Sequence, residues 1–190
     1  TSVSDYEKLV PVDVTKGRAK VVTDAIRILK EETSEVPIVG NLTGPISTAS
    51  SLMEPVIFYK ELRKKNKEAH AYMEFVTDQL IAFGKAQIEA GADVIAISDP
   101  SGTGEILGPK YFKEFAVTYL NKLLEGLQTV GLGTIVHICG HMGSVYNEIN
   151  EVKSSVLSFD SVVPMKEARA HLKDRGLMAV QIWKVSGRRS

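Results

Sequence analysis

The chain has 190 residues, 44% of them hydrophobic, with 23 basic and 23 acidic side chains and no formal net charge. This length and apolar content suit one globular domain over 1–190 with a real core, and exclude a disordered or fibrous chain. Balanced charge removes any bulk electrostatic case for nucleic acid or an anionic membrane, and no apolar run approaches the about 20 residues that span a bilayer.

In chain order, Ala19, Val22, Ile26 and Leu29 recur at steps of three and four and predict a helix over 14–32. The run "VPIVGNLTGP" follows, β-branched and closed by Gly and Pro, and reads as a buried strand and then a loop. Met73, Val76, Leu80 and Phe83 predict a second helix over 66–90, stopped by Gly91. "ADVIAISDP" is the next buried strand. Pro109, suited to a first helical turn, opens a helix through Phe112, Phe115, Tyr119, Leu123 and Leu127 to Gly131. "GTIVHIC" then reads as strand, "SVYNEINEV" as short helix, "SVLSFD" as strand, "PMKEARAHLKDRG" as helix and "LMAVQIW" as a last strand. No internal repeat or low-complexity linker interrupts the series.

Strands that are apolar throughout and alternate with helices imply parallel β-structure with right-handed crossovers. About five βα units fit the chain, whereas a closed eight-unit barrel takes about 250 residues, so the fold is either an open doubly wound sheet or a partial (β/α)8 TIM barrel. Both architectures place their chemistry at the carboxyl ends of the strands. There the sequence offers Asn41, Ser98-Asp99, His137 to Cys139 and Asp160.

Side chains alternate faces along a strand, so His137 and Cys139 point the same way with Ile138 opposite. Imidazole and thiolate are preferred donors for zinc, and two of them make a pincer that still needs further ligands. The plain alternative is a buried cysteine beside a core histidine. His141, in the loop beyond Gly140, either joins the pair or faces water, while His70 and His171 are expected at the solvent surface. Asp99 ends a buried strand before a glycine-rich loop, where a carboxylate serves as catalytic acid, substrate anchor, metal ligand or cap. Glu105, Asp160 and Asn41 are weaker candidates of the same rim for contacting a cofactor. "PSGTGEILGPK" has neither a dinucleotide fingerprint nor a phosphate-loop lysine, so no nucleotide site is read there. A single cysteine permits no internal disulfide, and "TSVSDYEKLV" lacks the pattern of a secretory signal, which together lead to a cytoplasmic expectation. The basic runs at 63–65 and 188–189 read as solvated surface.

Together "VGNLTGPISTASSL", "GADVIAISDPSGTGEILGPKYFKEFAVTYLNKL" and "VHICGHM" resemble the uroporphyrinogen decarboxylase superfamily, in its methylcobamide:coenzyme M methyltransferase branch, over about residues 9–179. The resemblance implies a (β/α)8 barrel with its site at the carboxyl ends of the strands. It also implies that His137 and Cys139 ligate a catalytic zinc, and that a methyl group moves from a methylated corrinoid on a partner protein to a small thiol such as coenzyme M. In the family about a hundred residues usually precede this region, and a later strand supplies a cysteine that completes the zinc site; here the sequence ends in "QIWKVSGRRS". The expectation is therefore a central part of a barrel whose exposed strand edges favour a homo-oligomer. Three readings stand at this point: a zinc methyltransferase, a metal-free tetrapyrrole decarboxylase, and a non-catalytic fragment that binds a corrinoid protein or its own copy.

Overall fold

The structure is a computed structural model and describes residues 2–127 and 131–179. Five short strands, β1 (Val39–Thr43), β2 (Val94–Ser98), β3 (Thr134–Ile138), β4 (Val156–Phe159) and β5 (Gly176–Ala179), form one sheet in sequence order. Every neighbouring pair is parallel. Of the two architectures expected, this is the partial (β/α)8 barrel: strand order never reverses, as it must in a doubly wound sheet. The last expected strand is seen as far as Ala179, and the remainder of "LMAVQIW" lies outside the described residues, as do 188–189.

Register assigns the two faces. Leu42, Ile95, Ile97, Val136, Ile138, Leu157 and Phe159 alternate onto one face and are buried in a single core. Helices cover that face: α1 (Gly17–Glu32) before β1, α4 (Asn66–Glu89) before β2, α6 (Thr118–Gly126) before β3, α7 (Tyr146–Ile149) before β4 and α8 (Met165–His171) before β5. Met73, Val76 and Leu80, three of the residues that predicted the helix over 66–90, are buried as their spacing requires, while Phe83 is partly buried against the same core. Each fully buried side chain of this size contributes about 1.5–3 kcal/mol of transfer free energy. The opposite, open face carries Asn41, Thr43, Ala96, Ser98, Ile135, His137, Val156 and Ser158, matched strand to strand.

Two stretches depart from the sequence reading. Between β1 and α4, α2 (Pro45–Ser51) and α3 (Pro55–Lys64) stand where no helix was expected, each opened by a proline at its first turn. The helix expected from Pro109 does open there, but an unexpected helical turn precedes it: α5 (Gly104–Tyr111) joins two helical pieces across Gly108, the first starting behind Thr103, whose hydroxyl accepts a hydrogen bond from the Ile106 N–H at 3.2 Å. Gly108 breaks its geometry with φ 70°, and a six-residue π-helix, Phe112–Val117, joins it to α6. His70 is a further correction. It is half-buried, with its ring stacked on Phe115 at 4.6 Å and Nδ1 within 2.8 Å of the Tyr119 hydroxyl, whereas His171 is exposed beside Tyr146. Among the described residues no helix is long and apolar enough to cross a membrane.

Candidate functional site

His137 is the fourth residue of β3, and the pleat sends its ring to the open face, while Val136 and Ile138 pack into the core. Cys139, one residue past the strand, continues the same alternation and returns to the ring: its Sγ lies 3.4 Å from His137 Nε2. The other ring nitrogen, Nδ1, is 3.0 Å from the hydroxyl of Ser158, the residue paired with His137 on β4. Both His137 and Cys139 are half-buried. Burial pushes the Cys139 thiol up, and the nearby Asp160 carboxylate adds to the effect.

The chain turns sharply after Cys139. Gly140 has φ 79°, which only glycine adopts without strain, and a side chain there would collide with the Glu105 carboxylate. That carboxylate, at the start of α5, accepts the His141 N–H at 3.1 Å, and Asp160, just past β4, accepts the Gly140 N–H at 3.5 Å. The N–H groups of Gly140 and Val162 hold the Asp160 carboxyl below the usual carboxylate range. The loop carrying the pincer is thus held from both sides by acids that follow the two adjacent strands.

Of the residues expected at the rim, His137, Cys139, Glu105 and Asp160 come together. His141 contributes its backbone, and its side chain is exposed. Asn41 lies on the open face of β1 but one register layer earlier than His137 and two strands away, with its backbone N–H and C=O both bonded to the buried Gln87 amide. Asp99 is turned to the other side. Its carboxylate is fully buried and accepts bonds from the Ser47 N–H at 2.7 Å, the Ser47 hydroxyl at 2.6 Å and the Ile46 N–H at 3.2 Å. Burial pushes this carboxyl up, against the pull of the Ser47 and Ile46 bonds. Of the roles open to it in the sequence, the structure gives Asp99 the cap of α2 and no surface at which to meet a substrate.

The spacing of the pincer can be tested against the expected cation. Two corners of a tetrahedral zinc site with nitrogen near 2.0 Å and sulfur near 2.3 Å lie about 3.5 Å apart. The observed 3.4 Å between His137 Nε2 and Cys139 Sγ fits. Among the described residues no group of three His, Cys, Asp or Glu side chains converges on one metal position, so the fit extends to two corners of the tetrahedron. Ser158 was not singled out from the sequence; its only signal was a hydroxyl on the same strand parity as Asp160 within "SVLSFD".

Comparisons with known proteins converge on one family. The sequence profile described as "Uroporphyrinogen decarboxylase (URO-D)" matches residues 1–181. The methylcobamide:CoM methyltransferase MtbA of Methanosarcina acetivorans is 29% identical over 174 residues, a match that covers 91% of this chain and 51% of that protein. A uroporphyrinogen decarboxylase of Thermus thermophilus is 34% identical over 157 residues, covering 80% and 45%. Among solved structures, a methyltransferase from Methanosarcina mazei superposes with a TM-score of 0.82 at 32% identity, covering 90% of this chain and 51% of that one. The chain spans about half the length of the curated relatives it matches.

Proposed function

Because the chain belongs to the uroporphyrinogen decarboxylase family, we propose that it carries the metal-binding strand of a zinc-dependent methyltransferase, which moves a methyl group from a methylated corrinoid on a partner protein to a small thiol such as coenzyme M. The observation that carries this reading is the pincer itself: His137 Nε2 and Cys139 Sγ on one face at a zinc-like separation of 3.4 Å. Relatives named as methylcobamide:CoM methyltransferases support the same chemistry. A bound zinc would supply a thiolate at neutral pH by deprotonating a thiol that coordinates it.

The chain's own residues do the positioning. His137 and Cys139 would hold the cation at the carboxyl end of β3, Glu105 and Asp160 fix the loop that carries Cys139, and the open face beside them, with Ser98 and Asn41, receives the reactants. Asp99 keeps β2 and α2 in place behind that face. A corrinoid protein as methyl donor, a cytoplasmic setting and self-association belong to this proposal.

Tetrapyrrole decarboxylation is the second reading, favoured by the 34% identity to a named decarboxylase. A tetrapyrrole needs cations to clamp its carboxylates. Here Arg169 and Arg175 spend their guanidinium groups on backbone carbonyls, and Arg27 pairs with Asp24. The deciding experiment measures zinc by elemental analysis in the purified protein and in Cys139→Ser, then follows demethylation of methylcobalamin in the presence of coenzyme M. Stoichiometric zinc lost in the variant, with thiol-dependent demethylation, supports the methyltransferase. Zinc-free protein that consumes uroporphyrinogen would replace it with the decarboxylase.

A further inference from the structure

We propose that Ser158 is the positioning residue for the metal-facing histidine: it holds the His137 ring by Nδ1, so that Nε2 and not Nδ1 is presented to the cation. The proposal rests on the zinc reading of the pincer and adds to it a residue on a different strand.

Three observations meet at this hydroxyl. Ser158 and His137 are direct register partners on adjacent parallel strands, so their side chains stand side by side on the open face. The Ser158 hydroxyl is 3.0 Å from Nδ1, while Nε2 lies 3.4 Å from Cys139 Sγ, so one ring nitrogen is engaged and the other is aimed at the pincer. Ser158 is 3% exposed, and among the described residues the ring is the sole hydrogen-bond partner of its side chain. A polar group removed from water is costly to leave unpaired, and this keeps the pair together.

The choice of a hydroxyl has a chemical consequence. With Nε2 given to a metal, the neutral ring carries its proton on Nδ1 and donates it to Ser158 Oγ. Without metal and with the proton on Nε2, the same hydroxyl rotates and donates to Nδ1. Either way the ring keeps one orientation, so the site need not reorganise to load. Partners of this kind typically set metal affinity over about 10- to 100-fold.

The test uses the full chain as wild type, Ser158→Ala and Ser158→Thr, with Cys139→Ser as the ligand control. Co²⁺ serves as the probe, read by its thiolate charge-transfer absorption, and zinc affinity follows by competition. Expected is a loss of about 10- to 100-fold in affinity for Ser158→Ala, with recovery in Ser158→Thr and an unfolding midpoint near wild type in both. Equal affinity in wild type and Ser158→Ala would overturn the proposal. The metal-free proteins give a second readout through the ring nitrogens of His137 in long-range ¹H–¹⁵N spectra. A single hydrogen-bonded Nδ1 signal in wild type that is displaced or broadened in Ser158→Ala supports the positioning role, and an unchanged signal refutes it. Wild type that binds no cobalt would sink the zinc reading on its own, and the ring signals would still decide whether Ser158 orients His137.

Discussion

Asp99 accepts both the backbone N–H and the hydroxyl of Ser47, at 2.7 and 2.6 Å, in a place closed to water. The contact ties the end of β2 to the first turn of α2, and the Ser101 N–H donates to the same hydroxyl at 2.9 Å, which brings the following loop into the joint. Removing the carboxylate would strand three buried donors. Asp99→Ala is therefore expected to lower stability by about 3 kcal/mol and Ser47→Ala by about 1 kcal/mol, with strong coupling in the double variant, read by urea unfolding. Zinc content of Asp99→Ala, measured on the folded fraction, should match wild type. An Asp99→Ala protein as stable as wild type would return this residue to the list of reacting groups.

Glu61 makes the second prediction, and it concerns acid. Its carboxylate accepts the Ser2 hydroxyl, the Val3 N–H at 2.8 Å and Lys65 Nζ at 2.8 Å, fastening the N-terminal turn to α3. Burial works against the charged form, yet the bonds from Lys65, Val3 and Ser2 prevail and hold the carboxyl below the usual range. A depressed folded value means that the contribution is fully present above the unfolded pKa of about 4.3 and fades as pH falls through the folded one. Glu61→Gln should cost about 1–2 kcal/mol at pH 7, and the gap to wild type should close towards pH 3 in denaturant titrations. A gap that stays constant with pH would show the bond network to be indifferent to the charge.

Gly140 offers a test of the loop that carries the pincer. An alanine here would have to adopt φ near 79° and push the Glu105 carboxylate off the His141 N–H. Gly140→Ala is expected to cost about 1–2 kcal/mol from backbone strain and to weaken zinc binding beyond what the stability loss explains. Glu105→Gln, which keeps an acceptor oxygen, should be milder than Glu105→Ala in a zinc competition assay. Equal effects would place the weight on charge and not on the hydrogen bond.

Metal removal gives the fourth. A ligand that binds only the folded chain at a hundred times its dissociation constant adds about 2.7 kcal/mol. Zinc should therefore raise the thermal midpoint, a chelator should reverse it, and Cys139→Ser should be insensitive to both. A wild-type midpoint that zinc leaves in place would remove the pincer from the list of metal sites.

Much of this architecture was legible because its signals are local. The helix read over 66–90 is observed as Asn66–Glu89, and β2 to β5 fall on the apolar runs read as strands, while β1 starts only at Val39, the end of its β-branched run, and continues through Gly40 and Asn41 to Thr43. What escaped depends on distant partners. The stretch "PISTASS" has weak intrinsic helix preference, and α2 forms with the Ile46 and Ser47 N–H groups satisfied by Asp99, one residue past β2. The start of α5 hid in a glycine-rich run whose capping residue, Thr103, precedes an irregular Gly108. His137 and Cys139 were readable as a pair, since spacing along one strand suffices. Ser158 was not, because a neighbour across the sheet becomes visible only once the register is known. Asp99 misled for the same reason of parity: Ser98, next to it, shares the face of His137, so Asp99 has to turn the opposite way.

The pleat also divides the chain's evolutionary freedom. Leu42, Ile95, Ile97, Val136 and Leu157 answer to the helices behind them, while Thr43, Ser98, His137 and Ser158, interleaved with them letter by letter, answer to whatever occupies the open side. A lineage can rewrite every second residue near the strand ends and inherit the rest unchanged. New reactions can then arise on this scaffold without a new fold having to be discovered.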